Sequence, residues 1–77
     1  MDVRIKQDLP TLSKNMKRLR LSHGMTQEQI VAKMQLEGSN ISRSTYAKIE
    51  VGLSSIWLSD LKRLSKIYKV SLDELLS

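Results

Sequence analysis

The chain contains no cysteine. That excludes disulfides and thiolate metal sites, so packing, capping and ion pairs must hold the fold. It also fits a reducing compartment. Histidine occurs once, at His23, and a metal site needs more ligands than that. There is no glycine-rich phosphate loop and no Ser-His-Asp set, and so short a chain leaves little room for a substrate cleft. An enzyme is not expected, nor is a cofactor or a bound metal. No apolar run approaches the roughly 20 residues that a membrane span requires. The charged start, Met1-Asp2-Val3-Arg4-Ile5-Lys6, does not read as a signal peptide. The expected location is the cytoplasm, with no membrane partner.

What is present is a short basic chain. Its 77 residues suffice for one domain only, because a second could not bury a core of its own. A domain of this size is marginal, so its helices should be well capped. The formal net charge is +5, a balance that favours polyanions, with nucleic acid first among them.

Hydrophobic spacing predicts an all-α class with five helices. Residues 1–8 show only a weak alternation at Val3 and Ile5, which fits a short arm or strand, and are expected to be a flexible arm ahead of a domain at 9–77. Helix one is predicted from about Leu9 or Thr11 to Ser22, with Leu12, Met16 and Leu19 on one face. The only proline, Pro10, suits a first turn, and Gly24 suits a stop. Helix two begins at Thr26, where Thr26 and Gln29 form a capping box and Met25 with Ile30 a hydrophobic staple. Ile30, Val31 and Met34 continue its buried face. Helix three begins after the cap Ser42, with Ile41 and Tyr46 as staple, and ends at Gly52. Helix four is expected over Ile56–Tyr68, with Leu58, Leu61, Leu64 and Tyr68 facing inward. Ser71, Glu74, Val70 and Leu75 repeat the capping device for a short helix five.

Helices two and three carry the chemistry. Helix one supplies Lys14, Lys17, Arg18 and Arg20 beside them, and the outward face of helix three reads Arg43, Ser44, Ala47, Lys48. An α-helix fits the major groove of B-DNA, and residues near its N-terminus reach base edges. Arg suits guanine, Ser suits several partners, and an Ala methyl can touch a thymine methyl. The N-termini of helices two and three also suit phosphate. An ordinary solvated helix face is the competing reading of Arg43 and Lys48.

The segments Asn15-Met16-Lys17-Arg18-Leu19-Arg20, Gly24-Met25-Thr26-Gln27-Glu28-Gln29-Ile30, Ser42 to Glu50, Gly52 and Val70 to Leu76, with the Leu58, Leu61, Leu64 spacing, resemble the Xre-type helix-turn-helix family of Cro and phage repressors. The likeness covers about residues 9–76 of the chain. It implies a compact five-helix, lambda-repressor-like DNA-binding domain, with the helix-turn-helix at helices two and three. It also implies sequence-specific binding of operator DNA, usually as a homodimer. By the same resemblance Gln27 is a phosphate clamp that braces the recognition helix, and Ser42 is a cap that also touches phosphate. Arg43, Ser44 and Lys48 fall where the family reads bases, with Thr26, Thr45 and Ala47 in the same contact set. Arg20 and Glu50 occupy positions that form an internal ion pair.

The sequence also departs from that pattern. Seven residues, 35 to 41, separate Met34 from Ser42, where about two commonly suffice in such a turn. The expectation is an extra turn of helix two to Leu36 or Glu37, then a loop at Gly38-Ser39-Asn40, with Ile41 restoring the apolar residue before the cap. Ser39 and Asn40 either make an added contact or belong to a harmless surface insertion. Val31 stands where a small residue is usual, which implies wider packing of helices two and three. The loop Leu53-Ser54-Ser55 carries none of the charge often found there. Trp57 replaces a polar cap. Leu53, Ile56, Trp57 and Leu76 are left over once the core faces are assigned, and are expected at a dimer contact or, for the first three, in a small core under the loop. A rival function is a protein-interaction module, such as an antitoxin, whose partner protein covers this cluster.

Overall fold

Three of the five helices open on a side-chain oxygen and three close on a glycine. The computed structural model describes residues 2–6 and 10–77. The elements run β1 (Arg4–Ile5), α1 (Thr11–Ser22), α2 (Gln27–Leu36), α3 (Arg43–Glu50), β2 (Ile56–Trp57), α4 (Leu58–Tyr68) and α5 (Leu72–Leu76). Leu9, one of the two expected starts of helix one, lies outside the described residues. At the other, α1 begins after Pro10, whose carbonyl accepts from the Lys14 amide at 3.0 Å.

At α2 the capping box is complete: the Gln29 amide donates to Thr26 Oγ1 at 3.1 Å and the Thr26 amide to Gln29 Oε1 at 2.9 Å. Ser42 caps α3 by accepting from the Thr45 amide at 3.2 Å. Ser71 caps α5 by accepting from the Glu74 amide at 3.1 Å. Each such cap contributes about 1 kcal/mol, a sizeable share in a domain this small.

The lengthened turn closes α2 with a defined hydrogen-bond pattern. The Gly38 amide donates to the Gln35 carbonyl and the Ser39 amide to the Met34 carbonyl, both at 3.0 Å. This is the Schellman closure, which requires a left-handed residue at its centre. Gly38 supplies it, with φ of +98°. Ser39 then turns inward, 7% exposed, and its Oγ accepts from the Ile41 amide at 3.0 Å. Gln35 Nε2 donates to the Ile41 carbonyl at 2.9 Å. The turn also leans on α4: Arg63 Nε donates to the Glu37 carbonyl at 3.0 Å and Lys66 pairs with the Glu37 carboxylate at 2.8 Å. Of the two residues expected to offer an added contact, Ser39 is used inside the fold and only Asn40 keeps an exposed side chain.

The core is one cluster. Met16, Ile30, Met34, Tyr46, Ile56, Leu61, Leu64 and Leu75 have no exposed surface, with Leu12, Leu19, Val31, Ile41, Ile49 and Tyr68 around them. Asn15 fastens α1 to the end of α5. Its Nδ2 donates to the Leu75 and Ser77 carbonyls at 2.9 and 3.0 Å, satisfying acceptors that a helix C-terminus leaves open.

Two expectations are corrected at the start of the chain and of helix four. Residues 4–5 are not part of a detached arm. They pair antiparallel with β2, Arg4 opposite Trp57 and Ile5 opposite Ile56. Helix four therefore starts at Leu58, because Ile56 and Trp57 are extended and engaged in that pairing. Trp57 has no side-chain oxygen to cap α4. Asp2 takes the role from across the ribbon. Its Oδ1 accepts from the Ser59 amide at 3.0 Å and its Oδ2 accepts from the Ser59 hydroxyl, while the Leu58 amide donates to the Val3 carbonyl at 2.6 Å. Those bonds hold the Asp2 carboxyl below the usual carboxylate range, chiefly through Ser59. The third correction is Ile56. Of the two expectations for it, a dimer contact or a small core under the loop, the dimer contact fails, because it is fully buried in the main core. Pairing with Ile5 turns it into the core, where burying such a side chain is worth about 1.5–3 kcal/mol.

Candidate nucleic-acid interface

The candidate interface centres on α3, a helix with two unlike sides. Tyr46, Ile49 and Glu50 are buried, whereas Arg43, Ser44, Thr45 and Lys48 are exposed and Ala47 is half-buried. The spacing of Tyr46, Ile49 and Glu50 puts all three against the body. The remaining positions face outward together, from the first turn onward. Ser42 is also exposed, and its hydroxyl donates to Thr45 Oγ1 at 3.0 Å.

Thr26 and Gln27 open α2. Thr26 is exposed, and Gln27 is half-buried because one end of it faces Glu50. Sequence-predicted residues from the starts of both helices thus lie on one pair of packed helices, Thr26 and Gln27 from α2 with Ser42, Arg43, Ser44, Thr45, Ala47 and Lys48 from α3.

Arg20 and Glu50 form the brace beneath. Arg20 Nη2 donates to Glu50 Oε1 at 2.7 Å, Nε donates to Oε2 at 3.0 Å, and Nη1 donates to the Met25 carbonyl at 3.0 Å. One guanidinium therefore joins the end of α1, the approach to α2 and the last residue of α3. The side chains keep 10% and 2% of their surface. Burial pushes the Glu50 carboxyl up, but the Arg20 hydrogen bonds outweigh it and hold the group below its ordinary value, with smaller help from Tyr46 and Gln27. Burial, with Glu50 beside it, pushes the Tyr46 hydroxyl far up, and burial followed by the Glu50 charge pushes Tyr68 up to about 12. None of these groups is poised to exchange a proton near neutral pH, which suits a structural role for the pair.

His23 is exposed at the end of α1 and stacks on Tyr68 with ring centroids 4.9 Å apart. Of the four residues assigned to a dimer contact, Leu53 is 80% exposed, Trp57 41% and Leu76 46%, with Ile56 withdrawn into the core.

Beside the first turn of α3 the fold leaves an open cleft of about 520 Å³. Its walls are the lengthened turn, the α3–β2 loop, the ribbon and α4. No local pattern signals it, because Arg4, Asn40, Ser55 and Arg63 come from four separate segments. The Arg4 guanidinium lies 4.5 Å from the centre of the Trp57 ring, within cation–π range.

A helix pair of this kind, capped, braced from below and basic on its outward face, defines a helix-turn-helix nucleic-acid binder. A family model described as helix-turn-helix matches residues 16–75, and the chain belongs to that family, the Xre- and Cro-like DNA-binding regulators. No curated protein and no solved structure matches the chain. The five helices and the helix-turn-helix at α2 and α3 agree with a lambda-repressor-like all-α fold, to which this chain adds a two-residue ribbon. Among the described residues no helix is long and apolar enough to cross a membrane.

Proposed function

We propose that the chain is a sequence-specific transcriptional regulator, a repressor acting in the cytoplasm. It reads a palindromic operator as a homodimer with α3 in the major groove. The observation that carries this reading is the division of α3, Arg43, Ser44, Thr45 and Lys48 exposed together and Tyr46, Ile49 and Glu50 buried behind them. Arg43 reads a base, Lys48 a base or phosphate, and Gln27 and Ser42 fix phosphates on either side. A dimer is needed because one such domain contacts too few base pairs to select a site in a genome. Two copies on a two-fold axis place their α3 helices about 34 Å apart, one turn of DNA. Leu53, exposed at 80%, and Leu76 are the apolar residues best placed to meet the second copy.

The test begins by selecting the preferred duplex from a random pool and measuring affinity for it and for unrelated DNA. Arg43→Ala should weaken the selected site by about 1–3 kcal/mol and relax preference at one base position. Equal losses on both DNAs would reduce Arg43 to a backbone contact. The exposed Leu53 also favours a second reading, a surface for a protein partner of the antitoxin kind. Binding to a partner that is indifferent to Arg43→Ala but abolished by Leu53→Ser would support that reading instead.

A further inference from the structure

We propose that Arg4, carried by β1, is a DNA-backbone contact. It supplies the positive charge that the α3–β2 connection lacks and binds a phosphate together with Asn40 of the lengthened turn and Ser55. This rests on the reading of α3 as the groove helix.

The connection from α3 to β2, Val51-Gly52-Leu53-Ser54-Ser55, carries no charge. The antiparallel register fixes Arg4 opposite Trp57, immediately after that connection. Arg4, Asn40 and Ser55 line the same cleft, and Ser42 and Thr45 at the start of α3 form its adjoining wall. When the N-terminal turn of a helix sits in the major groove, about 12 Å wide, the phosphate strands pass on either side of it. A cleft opening beside that turn faces one of those strands.

The groups are available for the task. Among the described residues, the Arg4 side chain makes no hydrogen bond or ion pair beside its cation–π contact with Trp57, and the exposed Asn40 side chain makes no hydrogen bond. A guanidinium carries five N–H donors, more than one ring contact can occupy, so donors remain for a phosphate, which it can bind bidentately. Arg63, the other cation of the cleft, is taken by Asp60 at 3.0 Å and by the Glu37 carbonyl at 3.0 Å. Asp2 is likewise taken by α4. Beside the Asp2 carboxylate, which is turned onto Ser59 at the start of α4, the cleft offers one cation, one amide and one hydroxyl, a set that suits a phosphodiester.

The test uses the full chain and the selected duplex. Arg4→Gln should weaken binding about eightfold at 0.1 M salt and lower the slope of log K against log salt by about 0.9, the share of one phosphate. The loss should be equal on unrelated DNA, because a backbone contact carries no sequence information. Asn40→Asp, on an exposed loop, should weaken both DNAs in the same way by adding a like charge. Trp57 is the only tryptophan and lies under Arg4, so its fluorescence reports on the site directly. It should respond to the duplex and not to inorganic phosphate at the same phosphate concentration. Thermal midpoints of both variants separate lost contacts from lost folding.

An unchanged salt slope in folded Arg4→Gln, with Arg43→Ala still relaxing base preference, overturns this inference alone. An equal fluorescence response to inorganic phosphate makes the cleft a site for a free anion and overturns it too. A wild-type chain that binds no duplex removes both this inference and the reading it rests on.

Discussion

Breaking the Arg20–Glu50 pair is the sharpest test of how α3 is held. Both groups are buried, and the guanidinium makes bonds to α3 and to the Met25 carbonyl at once. Removing one member of a buried pair costs about 3–5 kcal/mol, because the other charge is stranded. A domain with about 0.05–0.15 kcal/mol of stability per residue cannot lose that lightly. The two truncations should not be equal. The Arg20 side chain keeps 10% of its surface and Glu50 only 2%, so a stranded Arg20 can recover water and a stranded Glu50 cannot. Arg20→Met should therefore fall near the upper end of the range and Glu50→Leu near the lower. The double change leaves no buried charge and should lose less than the sum, giving a coupling energy of about 2 kcal/mol or more.

Acid gives the same pair a second signature. In the wild type the Glu50 carboxyl is lowered from 4.5 by Arg20 against the opposing effect of burial. Its contribution is complete above 4.5 and is lost as pH falls through the lowered folded value. In Arg20→Met the opposition disappears, burial dominates, and the carboxyl rises. Protonation then relieves the stranded charge, so the deficit relative to wild type should be greatest near neutral pH and shrink on acidification. Urea denaturation of the four proteins of the cycle, each at several pH values, measures both. A coupling near zero, or a deficit that does not change with pH, would refute the argument that a buried ion pair mounts the helix.

Three further outcomes follow from the fold. Gly38→Ala forces a side chain to φ of +98° and should lower stability by about 1–2 kcal/mol in a thermal melt, without altering base preference. Asp2→Ala removes the cap on α4 and should lower the thermal midpoint at neutral pH. Because the Asp2 carboxyl is lowered from 3.8, the wild type should lose the same contribution as pH falls below that value, and a constant gap between the two melts down to strong acid would sink the assignment. Leu53→Ser should reduce cooperative binding to a palindromic site while sparing a half-site, as judged by titration of both duplexes. Trp57 would not separate these effects, since it also carries Arg4.

What could be read from the sequence was local. Thr26 with Gln29, Ser42 with Thr45 and Ser71 with Glu74 act within three residues, so caps and helix starts were legible. Gly24, Gly38 and Gly52 ended helices for the same reason, and the outward positions of α3 followed from helical spacing. What escaped was nonlocal. The cap of α4 lies 57 positions away at Asp2, so Trp57 looked like an uncapped start and Ile56 like the first residue of a helix. The β1–β2 ribbon has two residues a side, too short for alternation to stand out from chance. Without that pairing nothing local decides whether Ile56 faces a partner or a core, so its position in the sequence leaves both open. Asn15 was noticed as part of a motif, but its acceptors on α5 lie 59 to 62 positions away. In the interface the same division holds: Arg43 and Lys48 stood on a recognisable face, while Arg4 had no visible link to it.

Of the features that set this chain apart from the pattern it resembles, all but the buried Val31 border one cleft. The added residues after Met34 form one wall of the cleft, the uncharged Ser54-Ser55 another, and Trp57 with Arg4 a third. Here the loop that lacks charge is the neighbour of the strand that brings it, and the tryptophan that cannot cap α4 is the ring on which that charge rests. The cap, displaced from position 57, is recovered at Asp2, two residues before Arg4 on the same strand segment. Binding Asp2 to α4 therefore also fixes where Arg4 stands. Meanwhile Ile41 and Ser42, at the end of the longer turn, seat α3 against the core and cap it. These features surround the start of α3 while α3 keeps its cap and its seat on the core, as expected if they share contacts with the DNA that α3 is proposed to read.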